Sequence, residues 1–122
     1  MSKRMALLVT GATPQAAFAP WMMAATGAAM EYECALFYAF DGLDLLRPQP
    51  VVHGALPASG AMMEPAALRA LCVEQGVRLM ACSASLEMRG MVLDDLMPGV
   101  ELAGMASWLA YASGAEIQLN FA

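Results

Sequence analysis

The chain has 122 residues, a formal net charge of -5, 60% hydrophobic residues and only 14% charged ones. That length fits one domain, residues 1–122, around a single core. With 6 lysines and arginines against 11 acids, it excludes a nucleic-acid reader, which needs clustered basic residues to meet phosphates.

So much apolar side chain on so small a monomer calls for cover, from a membrane or from a partner subunit. Residues 5–30 carry no charge, Lys3 and Arg4 precede them, and Ala17-Phe18-Ala19 resembles a signal cleavage site. The apolar start "MALLV" is short, however, and Thr10, Gly11, Thr13, Pro14 and Gln15 interrupt it with turn chemistry. The expectation is strand, loop and helix with no membrane span, and a homo-oligomer that covers the excess. Cys34, Cys72 and Cys82 form no CxxC pair and leave an odd count, which argues against a disulfide framework and for a reducing, cytoplasmic setting.

In chain order, "MALLVTGATP" begins as a short strand broken by Gly11 and Pro14, and Gln15 to Met30 is a helix rich in Ala and Met. That helix is apolar nearly all round, with Phe18, Trp21, Met22, Met23 and Met30 on more than one face, and Pro20 kinks it or sets its first turn. "CALFYAF", Cys34 to Phe40, is a buried strand ending at the Asp41-Gly42 turn. Arg47 to Met63, with Pro48, Pro50, Gly54, Pro57 and Gly60, is irregular and long enough for a lid or an arm on a neighbouring subunit.

"EPAALRALCVEQG" reads as a helix with Pro65 in its first turn, Leu68, Leu71 and Cys72 on its packing face, and Gly76 as its stop. Val77 to Ala81 follows as a strand, Cys82 to Arg89 as a short helix closed by Gly90, and Met91 to Met97 as a helical turn or loop. "VELAG" is a short strand, Met105 to Ser113 a helix, and "AEIQLNF" alternates as an edge strand. Alternation of strands and helices predicts an α/β fold: a flavodoxin-like parallel sheet of about five strands flanked by helices, in which ligands meet the carboxyl ends of the strands.

This arrangement puts Cys82 at a strand's carboxyl end and at the entrance of a helix, where free N–H groups and the helix dipole favour a thiolate. Ser83 and Ser85 can cap that helix or donate to a sulfur anion, and the amides of Ala84 and Ser85 can point at it. A free cysteine is more often a small buried hydrophobe, and position alone leaves both readings open.

The segments "ALLVTGATP", "CALFYAFDGLDLL", "VRLMACSASLEMRGM" and "DDLMPGVELAGMASWLAYASGAEIQLNF" resemble, in order and spacing, the DsrE/DsrF-like family of sulfur-relay proteins. The resemblance implies that Cys82 carries sulfur as a persulfide, in a homo-oligomer of trimeric or higher order, in exchange with a TusA-like or rhodanese-like partner. No cofactor is called for.

Other residues bear on competing chemistry. His53 is the only histidine and reads as incidental; no His/Cys cluster has metal spacing. "TGATP" is too short for a nucleotide fingerprint, the twelve methionines are scattered as packing residues, and Asp94-Asp95 reads as a solvated turn. The alternative to a sulfur carrier is a noncatalytic oligomeric module that binds a small ligand at the strand ends around Thr10, Gly11, Thr13 and Gly104. A thiol peroxidase is a third reading, weakened by Leu79 where peroxiredoxins typically place Thr, three positions before the cysteine.

Overall fold

The computed structural model describes residues 3–56 and 63–122. Five strands alternate with helices: β1 (Lys3–Val9), α1 (Pro14–Ala29), β2 (Tyr32–Tyr38), α2 (Pro65–Glu74), β3 (Arg78–Cys82), α3 (Ser83–Met88), β4 (Glu101–Ala103), α4 (Met105–Ser113) and β5 (Ile117–Phe121). Two 3-10 turns, Phe40–Leu46 and Leu93–Asp95, complete the elements. Every strand pair is parallel and the sheet order is β4-β3-β2-β1-β5. The expected single-domain, five-stranded parallel sheet flanked by helices is thus the observed architecture.

Strand order dictates where the helices go. From β1 to β4 the chain steps in one direction across the sheet, and the right-handedness of parallel crossovers puts the connecting helices on one face. The return from β4 to β5 runs the other way and sends α4 to the opposite face. The core accordingly divides in two. On one side Leu7, Val9, Leu36, Tyr38 and Leu79 meet Trp21 of α1, Leu68 and Cys72 of α2 and Leu86 of α3. On the other, Ala6, Ala35, Phe37, Met80 and Cys82 meet Trp108 and Tyr111 of α4. The winding reverses at β1/β5, where the last strand lies alone beside β1; in flavodoxin itself that place belongs to the second strand.

Local chemistry explains the element ends. Thr13 caps α1, its Oγ1 accepting the Ala16 N–H at 3.2 Å, and Pro14 occupies the first helical position, where no N–H is required. Pro20 lies inside α1 and is buried; the first-turn role falls to Pro14. Pro65 opens α2 in the same way. The apolar all-round character of α1 reflects its position, with Trp21 fully buried while Met22 and Met23 face outward.

The stretch after β2 differs from the expected simple turn at Asp41-Gly42. It coils into the 3-10 turn 40–46 and buries Leu43, Leu45 and Leu46, and Gly42 is required because a Cβ there would collide with the Val9 carbonyl. Residues 47–56 are irregular as expected, but they strap the chain's own carboxyl edge: Val51 N–H donates to Asp44 O at 2.9 Å and His53 N–H to Ala12 O at 2.7 Å. Buried Arg69 of α2 anchors the strap by donating to the carbonyls of Leu45, Arg47 and Pro48. Pro57 and Gly60 of the expected irregular segment lie outside the described residues. Among the described residues no helix is long and apolar enough to cross a membrane.

Candidate functional site

Cys82 is the last residue of β3 and the N-cap of α3, with φ -68° and ψ 117°. The run "RLMAC", apolar from Leu79 onward, builds the strand, and "SASLEM", free of β-branched residues, turns into helix at once. The side chain faces the α4 layer together with Phe37, Ala39, Ala103 and Trp108, and Cys82 is paired in register with Ala103 of β4. Trp108 stacks on Phe37 with centroids 5.0 Å apart and on Tyr111 at 5.7 Å, so an aromatic wall backs this face.

In this structure the thiol lacks two features that sulfur exchange would use. An exposed sulfur is the requirement for exchange with another molecule, yet Cys82 has 0% exposure. Nor does a first-turn amide of Ala84 or Ser85 donate to it, since Cys82 makes no side-chain capping bond. The helix has only six residues and its dipole is correspondingly small. Ser83 is half-buried and Ala84 exposed, whereas Ser85 is buried and committed elsewhere: its Oγ accepts the Phe40 N–H at 3.0 Å.

Gly104, the N-cap of α4, stands beside Ser83, since a Cβ built on it would lie 4.0 Å from the Ser83 hydroxyl. Thr10, Gly11 and Thr13 are not part of this group, because β2 and β3 separate β1 from β4. At β1/β5 the chain's own last described residues take up the polar groups of Thr10 and Thr13. Thr10 donates its N–H to Phe121 O at 2.8 Å and its hydroxyl to the same oxygen at 3.3 Å, and Thr13 Oγ1 donates to Ala122 O at 2.9 Å. A Cβ at Gly11 would collide with the Ala122 main chain.

The cluster that sequence reasoning missed is built on Asp44. This carboxylate, 5% exposed, accepts from Arg47 Nε at 2.8 Å and from Arg89 Nη2 at 3.1 and 3.2 Å, and lies 2.8 Å from His53 Nε2. Burial pushes the Asp44 carboxyl up, but the bonds from Arg47 and His53 and the charge of Arg89 outweigh it and hold the group below the usual carboxylate range. Arg89 also donates to Phe40 O at 3.1 Å, so the cluster connects the strap, the 3-10 turn and the helix that follows Cys82. His53, which reads as incidental in the sequence, is a member. Its partner Asp44 lies 9 residues away with no motif between them; the local signal was the turn pair Asp41-Gly42.

The other two cysteines sit on the opposite face of the sheet. Cys34 Sγ lies 3.6 Å from both Ala24 O and Tyr32 O, and Cys72 Sγ donates to Trp21 O at 3.2 Å. Burial, and then Glu33, pushes the Cys34 thiol up; burial, and then Cys34, pushes Cys72 up to about 12. Both are held as thiols at neutral pH, and Cys72 lies on the packing face expected of it. Among the described residues no three His, Cys, Asp or Glu side chains gather to hold a metal ion.

The fold and this carboxyl edge define a small doubly wound α/β protein with one cysteine at a strand-to-helix junction. The model of the DsrE/DsrF-like family matches residues 3–121, and the chain belongs to that family. It is 27% identical to the sulfur carrier protein DsrE2 of Allochromatium vinosum, over 96% of this chain and 97% of that one. It is 25% identical to the uncharacterized protein YrkE of Bacillus subtilis, over 97% and 96% of the two chains. Among solved structures, the ychN protein of E. coli superposes with a TM-score of 0.75 at 20% identity, over 99% of this chain and all of that one. The protein MTH1491 of Methanobacterium thermoautotrophicum does so with a TM-score of 0.66 at 16% identity, over 98% and 99% of the chains. These two likenesses concern the fold.

Proposed function

We propose that this protein is a sulfur-relay protein that carries sulfane sulfur as a persulfide on Cys82. The observation that carries the reading is the placement of the three cysteines. Cys34 and Cys72 are tied to main-chain carbonyls behind the sheet, and Cys82 stands at the carboxyl edge, where a strand ends and a helix begins. Membership in the DsrE/DsrF-like family and the likeness to a protein named a sulfur carrier support it.

The chemistry balances without a cofactor. The Cys82 thiolate attacks the terminal sulfur of a donor persulfide, a new S–S bond forms as the donor's S–S bond breaks, and the donor leaves as a thiolate. An acceptor thiolate then takes the same sulfur from Cys82, again without net oxidation. A TusA-like or rhodanese-like protein is the donor or acceptor that such a step requires, and a reducing cytoplasm is the setting that keeps both thiols available. The hydrogen bonds that Thr10 and Thr13 already make to the carbonyls of Phe121 and Ala122 weigh against the alternative of a ligand site around Thr10, Gly11 and Thr13.

Intact mass after incubation with a persulfide donor, and separately with peroxide, tests the reading: a gain of one sulfur per chain is expected. No adduct contradicts it, and stepwise oxygen addition with no sulfur gain turns it into a thiol peroxidase. We further propose a homo-oligomer of three or more copies, on the strength of the apolar side chains left outside: Met22, Met23 and Met30 on α1, and Leu102, Met105 and Leu109 at the β4/α4 edge. Light scattering at micromolar concentration is expected to give at least three times 12.9 kDa, and a monomeric mass would refute it.

A further inference from the structure

A thiol that exchanges sulfur with another protein has to be reached, and Cys82 is fully buried, so the closed state seen here must open locally. What lies over the thiol is α4. Cys82 shares its apolar cluster with Ala103 and Trp108, on the face of the sheet that α4 covers, while Cys34 and Cys72 belong to the cluster on the other face. Cys82 also pairs in register with Ala103, so Gly104, the N-cap of α4, follows directly beside it.

The two halves of α4 are held very differently. At the carboxyl half Tyr111 donates its hydroxyl to Glu33 O at 3.2 Å, and the guanidinium groups of Arg4 and Arg78 lie 4.9 and 5.5 Å from the centroid of its ring. Each arginine is fixed in turn, Arg4 by Glu33 at 3.0 Å and Arg78 by Glu101 at 2.8 Å, and Gln118 donates to Ala112 O at 2.7 Å. Residues of all five strands thus take hold of this end. The amino half has much less. Gly104 caps it without a side chain, and Met105, Ala106, Ser107 and Leu109 are exposed. Trp108, stacked on Phe37 with centroids 5.0 Å apart, is the one buried side chain from 104 to 110.

An element opens first where it has fewest buried contacts. The geometry points to the amino half of α4 as a lid on Cys82: it pivots on the Tyr111 clamp, lifts when Trp108 leaves Phe37, and exposes the thiol to its sulfur partner. Gly104 is the hinge, since its backbone is the freest of the segment and no capping bond restrains it. The role of the lid in sulfur transfer rests on the persulfide reading, but its motion does not.

Native-state labelling with iodoacetamide, read peptide by peptide, tests the lid without any sulfur chemistry, because labelling that needs a local opening follows the population of the open state. In the wild type Cys82 is expected to label ahead of Cys34 and Cys72. Trp108→Phe removes part of the buried ring that holds the lid shut and is expected to speed labelling of Cys82 about tenfold. Gly104→Ser acts in the opposite direction. A Cβ there meets nothing nearer than the Ser83 hydroxyl at 4.0 Å, and the backbone is extended, with φ -87° and ψ 167°. The added hydroxymethyl group restricts the hinge and caps the helix, so Cys82 is expected to label about threefold more slowly. Cys34 and Cys72, on the other face of the sheet, keep their rates in both variants. If Trp108→Phe fails to fold, Gly104→Ser, at a position with room for the side chain, carries the test alone. Three cysteines that label together, a Cys82 rate that neither variant moves, or faster labelling of Gly104→Ser would each overturn the lid. Sulfur acceptance by the wild type with unmoved labelling in the variants refutes the lid alone; labelling as expected in a protein that accepts no sulfur refutes the persulfide alone.

Discussion

Asp44→Asn is expected to destabilise the fold by about 3 kcal/mol at neutral pH. The side chain keeps its volume, but the variant places an amide N–H₂ where a carboxylate oxygen now accepts from Arg47, Arg89 or His53. Two guanidinium groups lose their counter-charge at a position only 5% exposed. The cost stays at the lower end of that for a broken buried pair because Arg47 and Arg89, 35% and 26% exposed, can turn toward water.

The pH dependence has a definite sign. Asp44 is depressed in the folded state, so its contribution is fully present above the unfolded carboxylate value of about 3.9 and is lost as pH falls through the lower folded value. Denaturation midpoints of wild type and variant should therefore lie far apart at pH 7 and converge below about pH 4. A gap that stays constant down to pH 3, or no gap at pH 7, would show that the cluster contributes nothing through its charge.

Much of the fold was legible because its signals are local. Short β-rich runs such as "ALLV" and "CALFY", prolines at helix starts and the alternation in "AEIQLNF" mark elements by propensity and period, and all of these became strands or helices at nearly the expected limits. The position of Cys82 was legible in the same way, since a strand-to-helix junction is visible as an apolar run meeting Ser and Ala. What was not legible depends on contacts between distant residues. The turn 40–46 coils because Leu43, Leu45 and Leu46 find a core supplied by other elements, and a Phe in the left-handed region has no sequence signature at all. Asp44, His53 and Arg89 lie 9 and 45 residues apart in the two pairs and meet only after the strap and α3 have docked. That Thr10 and Thr13 spend hydrogen bonds on the carbonyls of Phe121 and Ala122 depends on β5 being placed beside β1. The exposure of a single thiol is likewise a tertiary property, and propensity carries no information about it.

Cys82→Ser has the largest expected functional effect, complete loss of sulfur acceptance, with the fold and assembly of the wild type. Oxygen in place of sulfur at a fully buried position asks for a hydrogen-bond partner, so a modest stability loss of about 1 kcal/mol accompanies it. Cys34→Ser and Cys72→Ser are expected to keep acceptance. Their cost falls on stability, since both thiols are buried against α1. The most direct measurement is therefore the site-resolved mass of the sulfur adduct after incubation with a persulfide donor, in the wild type and the three single variants. One added sulfur on the Cys82 peptide, absent only in Cys82→Ser, is the predicted result. An adduct that persists in Cys82→Ser, or that maps to Cys34 or Cys72, would contradict a relay through Cys82.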